Sequence, residues 1–429
     1  MNVVAANHQR WYDLSADIGA CVKVTVVRVS VRQMRLAAAV ASVLVVGSLA
    51  ISPTLGGSSR AGAATAPTAP GTTLYVGTGA VACNDNGPAT QAEPFCTLQA
   101  AANVVNPGQT VVIQSGLSKP VTITRSGTPS EPITFTVAGA SRQFVGSAQT
   151  GQAVVTIQNV HDVTISGIGV NHYDGDDGID VAGSSAITLD RLMINHIYRS
   201  PAAEYTSAGI SIDGASSDVT VSRTRIQADG QYGLHVAAGA QHVTADDNAV
   251  LMNGAAAAMW LDGAAGSVVT GNTLLGVCAA STGTNGLALT GGSSAVVENN
   301  VFQDEKAGTC SAYGAALLVD SASAGSVQAS YNALFSLGGP VEYSWAGATY
   351  TTAAQFQAAV PGQGANDVDL RSGVGLVPPP EGSAAIDSAD CTAPAYSSTD
   401  FAGNPRVADP LATDARDGAG ADPGRLPAR

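Results

Sequence analysis

The sequence predicts an all-β solenoid, a parallel β-helix of three-strand coils, and three observations predict it. A row of apolar positions recurs, beginning at Val163, Ile187, Val219, Val243, Ser267, Ala295 and Val327, with steps of 24, 32, 24, 24, 28 and 32 residues. Self-similarity at such a period marks units that bury a continuous core only by stacking. The eighth position of each row is apolar throughout: Val170, Ile194, Ile226, Val250, Leu274, Phe302, Leu334. The sixth changes from Ile168, Leu192 and Thr224 to Asn248, Asn272, Asn300 and Asn332. Stacked at the strand spacing of about 4.8 Å, these amides would hydrogen-bond along an Asn ladder. Asparagine also tolerates the left-handed backbone of a tight corner. Independent turns would not place four asparagines in one register.

Each row is preceded by another alternating run. These read Val154-Val-Thr-Ile157, Gly178-Ile-Asp-Val181, Gly209-Ile-Ser-Ile212, Gly233-Leu-His-Val236, Ala258-Met-Trp-Leu261, Gly286-Leu-Ala-Leu289 and Ala316-Leu-Leu-Val319. A coil therefore has a first strand, a small-residue turn, a second strand, a corner at the sixth position, a third strand and a variable loop. No proline falls between Pro201 and Pro340, as expected of strands whose every N–H is committed to a neighbour. Only 12% of the 429 residues are charged and 5% aromatic, with 49 glycines, a profile of short strands and tight turns.

In chain order, residues 1–63 have the layout of an export segment. Arg28, Arg32 and Arg35 precede the apolar run Leu36 to Ile51, and Ala61-Gly-Ala63 supplies small residues for cleavage. The alternative is a membrane anchor, and a start at Met34 would give a more ordinary signal. Residues 64–72 read as an Ala/Thr/Pro/Gly linker. Residues 73–345 form the β-helix with its N-terminal cap: a strand at Thr73–Val76, then a short capping helix starting at Thr97 and ending before Pro107-Gly108. That helix would cover a first coil otherwise left with exposed core and unpaired backbone. Residues 346–429 read as a C-terminal cap and a loose tail. An exported chain with six cysteines points to disulfides Cys83–Cys96 and Cys278–Cys310, with Cys21 in the export segment and Cys391 left over.

Without residues 1–63 the chain keeps 13 basic and 31 acidic residues, a net charge near −18. Such a surface repels nucleic acid and anionic lipid. It repels a uronic-acid polymer too unless a cation bridges the two. The mature chain has no apolar run of the 18–20 residues that span a bilayer, and a monomer is expected.

The coil order and asparagine run resemble the right-handed parallel β-helix proteins of the pectate-lyase-like superfamily. Phe95-Cys-Thr-Leu-Gln-Ala-Ala101 and Pro107-Gly-Gln-Thr-Val111 look like the N-terminal cap of its secreted bacterial members. Ser383-Ala-Ala-Ile-Asp387, Asp400-Phe-Ala-Gly-Asn-Pro-Arg406 and Asp417-Gly-Ala419 look like their tails. The resemblance implies a substrate lying along the first-strand sheet, flanked by the variable loops. It does not fix an activity, because the superfamily holds lyases, hydrolases, esterases, epimerases and non-enzymes.

With apolar residues inward, successive first strands face outward with Thr156, Asp180, Ser211, His235, Trp260, Ala288 and Leu318. The densest constellation is Asn171-His-Tyr-Asp-Gly-Asp-Asp-Gly-Ile-Asp180. Asp174, Asp176 and Asp177 could hold Ca²⁺ through oxygen ligands. Asp177 and Asp180 could instead supply the acid and base of glycoside hydrolysis, with His235 as a third catalytic candidate. A solvated Asp/Gly-rich turn is the bland alternative. The Asp-Gly-Ile-Asp piece is similar to a motif of polygalacturonase-type hydrolases, which follow it with an Asp pair on the next coil; here that coil offers only Ser211. Lyase chemistry needs a base beside a neutralised carboxylate, for which Arg199 and Lys306 are candidates. Arg191 and Arg223 sit at the asparagine corner and read as surface residues. Trp260, Ser211, Tyr232 and Arg199 are the candidate substrate contacts. Asp213, Asp262 and Asp320 follow the first strands at one register and read as turn formers. Two functions remain: a secreted protein that binds, and in one version cleaves, an extracellular polysaccharide, or a non-catalytic surface or matrix scaffold.

Overall fold

The computed structural model describes residues 72–77, 82–117, 119–139, 143–146, 152–173, 177–197, 207–228, 231–253, 256–278, 284–306, 314–337, 342–370, 384–385 and 388–406. The export segment, the linker up to residue 71 and the last 23 residues lie outside them. Among the described residues, three sheets of 10, 9 and 10 strands, parallel except for one closing hairpin, wrap one core. Each strand pairs with its equivalent one coil away: Ile187 lies opposite both Val163 and Val219, and Ser211 opposite both Asp180 and His235. The first-, second- and third-strand assignments of the sequence pattern all hold. Inward residues of the first strands (Ile210, Ile212, Leu234, Val236, Leu287, Leu289) are fully buried, as are the eighth-position residues Ile194, Ile226, Val250, Leu274, Phe302 and Leu334. The glycine that opens several first strands follows from that core. A Cβ at Gly233 would run into the Val250 side chain and the Ala258 carbonyl.

The corner between second and third strands differs from expectation in one respect. The left-handed residue is the fifth of each row, not the sixth. Gly167, Arg191, Arg223, Asp247, Gly271, Asn299 and Tyr331 have φ between 46° and 74°. This frees the sixth residue to turn its side chain inward. Asn248, Asn272, Asn300 and Asn332 are buried, and each Nδ2 donates to the Oδ1 of the next at 3.0–3.1 Å, as far as Asn332. Each Oδ1 also accepts the backbone N–H of the asparagine before it, at 2.9–3.1 Å. The ladder starts at Thr224, whose N–H donates to Asn248 Oδ1, and ends on the carboxylate Oδ1 of Asp367, 2.7 Å from Asn332 N. A second, unanticipated ladder runs through the turn after the first strand. Ser184 N donates to Ser216 Oγ (3.1 Å) and Ser293 N to Ser323 Oγ (3.0 Å), with all four serines buried.

Both ends are closed by side chains that imitate a strand. Helix α1 (Leu98–Val104) is capped by Thr97 Oγ1, which accepts from Ala100 N. Its Gln99 accepts from Thr122 N (2.8 Å) and donates to Thr122 O (3.0 Å), closing the edge of the first-strand sheet. At the other end Gln363 accepts from Ala329 N (2.8 Å) and donates to Val327 O (2.9 Å), closing the second-strand sheet. The first-strand sheet ends in an antiparallel hairpin, Tyr343–Trp345 with Ala348–Tyr350. Helix α2 (Ala353–Ala359), absent from the sequence reading, packs Phe356 on the Tyr343 ring at 4.1 Å.

The tail is not loose over its described part. Asn299 Nδ2 donates to Asp390 O (2.8 Å) and Asn299 Oδ1 accepts from Asp390 N (2.7 Å). Arg406 pairs with Asp247, with side chains only 5% and 2% exposed. Asp247 and Asn299 are both left-handed corner residues, and the tail supplies the partners their side chains need. The disulfide Cys83–Cys96 is present, and Asp85 Oδ1 accepts the N–H groups of Cys96 and Thr97 to fix the loop before α1. The Cys278–Cys310 expectation lies outside the described residues, and Cys391, whose pairing the sequence left open, is disulfide-bonded.

Two predictions follow from these contacts. Asn272→Ala removes a buried amide that satisfies Asn248 N, Ala245 O and Asn300 Oδ1. Unsatisfied buried groups of this kind cost about 1–3 kcal/mol each, so denaturant unfolding should show a loss of about 3 kcal/mol. A loss below about 1 kcal/mol would mean that the ladder adds nothing to the strand pairing. Glu342 is buried at the C-terminal end beside Asp369 and Asp367, and burial pushes its carboxyl from 4.5 up to about 9. A raised carboxyl binds more protons folded than unfolded, so stability is held below pH 4.5 and declines as pH rises toward 9. Thermal melts across that range should show a shallower decline for Glu342→Gln than for the parent chain.

Candidate functional site

The outward side chains of the first-strand sheet form one file. Register places Thr156 beside Asp180, Asp180 beside Ser211, Ser211 beside His235, His235 beside Trp260, and Trp260 beside Ala288. Neighbours in such a file are about 4.8 Å apart, so Asp180 to Trp260 covers about 14 Å. Ser211 stands between Asp180 and His235, so the three do not form a triad in which histidine bridges serine and acid.

Trp260, His235 and Tyr232 make an aromatic cluster. The Tyr232 ring stacks on His235 (centroids 4.9 Å apart, 22° between planes) and meets Trp260 at 4.7 Å and 60°. His235 and Trp260 lie 5.8 Å apart. Tyr232 is only 7% exposed and supports the other two rings, which are half-buried. The indole is anchored by a relay: Trp260 Nε1 donates to Thr290 Oγ1 (2.7 Å), and Thr290 Oγ1 donates to Asp262 Oδ1 (2.9 Å). Thr290 lies opposite Asp262 on the next first strand. Sequence reasoning missed this pair, taking Asp262 for a turn former. The available signal was position, because Asp262 is two residues beyond Trp260 and so on the same face.

The electrostatics follow from burial and two acids, Asp213 and Asp262. Burial lifts the Asp180 carboxyl above its usual range, and Asp213 adds to the effect. Burial pushes the Tyr232 phenol up to about 12, with Asp262 adding to it. Burial lowers His235, against an opposing pull from Asp262, and so favours the neutral imidazole. Asp213 does form a turn, accepting from Gly183 N, Ala215 N and Ser216 Oγ. Asp320 likewise accepts from Gly291 N and Ser323 N.

The other candidates are separated from this file or lie outside the described residues. Asp177 turns its Oδ1 to Ala208 N (2.6 Å), tying two first strands together. Asp174, Asp176 and Arg199 lie outside the described residues, as does the Lys306 side chain. Among the described residues no group of His, Cys, Asp and Glu could hold a metal ion. Arg191 and Arg223 are at the asparagine corner, both on Asp190, at 2.9 and 2.7 Å. No helix among the described residues is long and apolar enough to cross a membrane.

A lowered His235 makes one prediction. Its imidazole resonances should titrate below the ordinary value of 6.5. A histidine held neutral contributes stability above pH 6.5 that is lost as pH falls toward its folded value. A midpoint at or above 6.5 would show that the ring is not desolvated as described.

Residues 147–351 match the family model described as right handed beta helix region. Comparison with curated proteins found no match. Pectate lyase Pel9A is 14% identical, with 80% of this chain and 89% of that one covered and a TM-score of 0.47. An alginate lyase from Paenibacillus sp. str. FPU-7 is 18% identical, with 56% and 85% covered and a TM-score of 0.40. The Streptococcus pneumoniae surface protein and adhesin PfbA is 12% identical, with 54% and 73% covered and a TM-score of 0.35. Three in-register sheets, stacked asparagines and the match over residues 147–351 give the chain a right-handed parallel β-helix fold.

Proposed function

We propose that this protein binds an extracellular polysaccharide along the outward face of its first-strand sheet. One observation carries the reading. The side chains of Asp180, Ser211 and His235 face outward in register and make no hydrogen bond among the described residues, and the file runs directly into the anchored indole of Trp260. A sugar offers hydroxyls to the first three and an apolar ring face to the fourth. The aromatic ring supplies contact area at little conformational cost, since Thr290 already fixes it. The export-like leader and the Cys83–Cys96 disulfide support an extracytoplasmic setting.

Binding is favoured over cleavage by the carboxylates. Glycoside hydrolysis uses two of them across the bond. Asp177 accepts a backbone N–H and Asp213 accepts several donors, whereas Asp180 has none among the described residues. Cleavage with Asp177, Asp180 and His235, and a Ca²⁺ held by Asp174, Asp176 and Asp177, are further proposals that one assay separates. The mature protein is titrated with a glycan panel, with and without Ca²⁺, and products are read as reducing ends and unsaturated sugars. The expected result is binding without turnover, weakened at least tenfold in Trp260→Ala. Products lost in Asp177→Ala or His235→Ala would make it an enzyme, and no binding to any glycan would overturn the reading.

A further inference from the structure

We infer that the glycan taken by this face carries free amino groups, making the ligand a cationic amino-sugar polymer. The inference rests on the polysaccharide reading and names its substrate class. Its ground is the distribution of charge around the file. Asp180 is half-buried, faces outward between Thr156 and Ser211, and meets no donor among the described residues. Asp213 follows the first strand that carries Ser211, and Asp262 ends the first strand that carries Trp260, so two further acids stand on the coils of the file.

The described cations are all elsewhere. Arg191 and Arg223 are held by Asp190 at the asparagine corner, and Arg406 by Asp247 in the tail. Arg125 donates to Val105 O and Asn106 Oδ1. Arg225 belongs to the third-strand sheet, and Lys119 lines a cavity at the N-terminal end with Phe144 and Leu117. The whole chain carries a formal charge of −14.

A half-buried carboxylate that meets no donor among the described residues is unfavourable by itself, and Asp213 makes it more so. A ligand ammonium would relieve both effects through a charge-assisted hydrogen bond to Asp180. A second ammonium over the Trp260 face would gain from the ring quadrupole. A polyuronate would bring carboxylates to the same acids. A neutral glycan would leave the Asp180 charge uncompensated.

The test is calorimetric titration of the mature protein, at neutral pH and low salt, with three oligosaccharides of matched length. These are fully deacetylated glucosamine oligomers, their N-acetylated counterparts and oligogalacturonate. The expected result is at least tenfold tighter binding of the deacetylated oligomer than of the acetylated one, shrinking as salt is raised, and no binding of oligogalacturonate. In Asp180→Asn the advantage of the deacetylated form over the acetylated one should vanish. Equal or weaker binding of the deacetylated form, or preference for oligogalacturonate, overturns the inference and leaves the polysaccharide reading standing. If no glycan of any class binds, both fall. The wild-type comparison alone decides between these outcomes, whether or not the variant folds.

Discussion

In-register pairing of each strand with its counterpart one coil away is the constraint on which the rest depends. Parallel strands bury both faces of their backbone bonds only when every N–H and C=O finds a partner above and below. Once that register holds, residues separated by 24 to 32 positions in sequence become neighbours in files. Ile187 meets Val219, Asn272 meets Asn300, and Ser211 meets His235 for the same reason. The variable loops take up the difference in coil length without disturbing the files. Core, ladders and outward face are therefore three readings of one register.

Much of this was legible because period and polarity leave a direct trace in the sequence. The apolar rows, the asparagines, Thr97 as helix cap and the outward file from Thr156 to Leu318 all follow from alternation. What escaped was less regular. The left-handed residue at the corner is Gly, Arg, Asp, Asn or Tyr, so its column has no chemical signature even though its backbone repeats. The serine ladder is interrupted by the buried Ala240 and Ala264, which hides it among ordinary small residues. Helix α2 is only seven residues long, and the docking of the tail depends on contacts across 159 positions, which no local pattern encodes.

On the outward face the sequence supplied the residues but not their state. Trp260 could be read as facing out, whereas the Thr290–Asp262 relay that holds it required the strand after it. Burial raises Tyr232 and lowers His235, and the same acid adds to the first shift and opposes the second, so one carboxylate both holds the indole and acts on two neighbouring rings. Side chains so held are already ordered and have little conformational freedom left to lose.

The buried Arg406–Asp247 pair carries a consequence for how such a rod comes apart. In a linear stack each coil leans only on its neighbours, so opening starts at an exposed end and spreads inward. Here the segment after the last coils runs back along the asparagine corner, touching Asn299 and then Asp247. The end coils cannot peel away while that strap is in place. Fraying of the C-terminal end is thereby coupled to a contact in the middle of the rod, which raises the cooperativity of unfolding. Such coupling makes the chain a poor substrate for proteases that feed on loose ends.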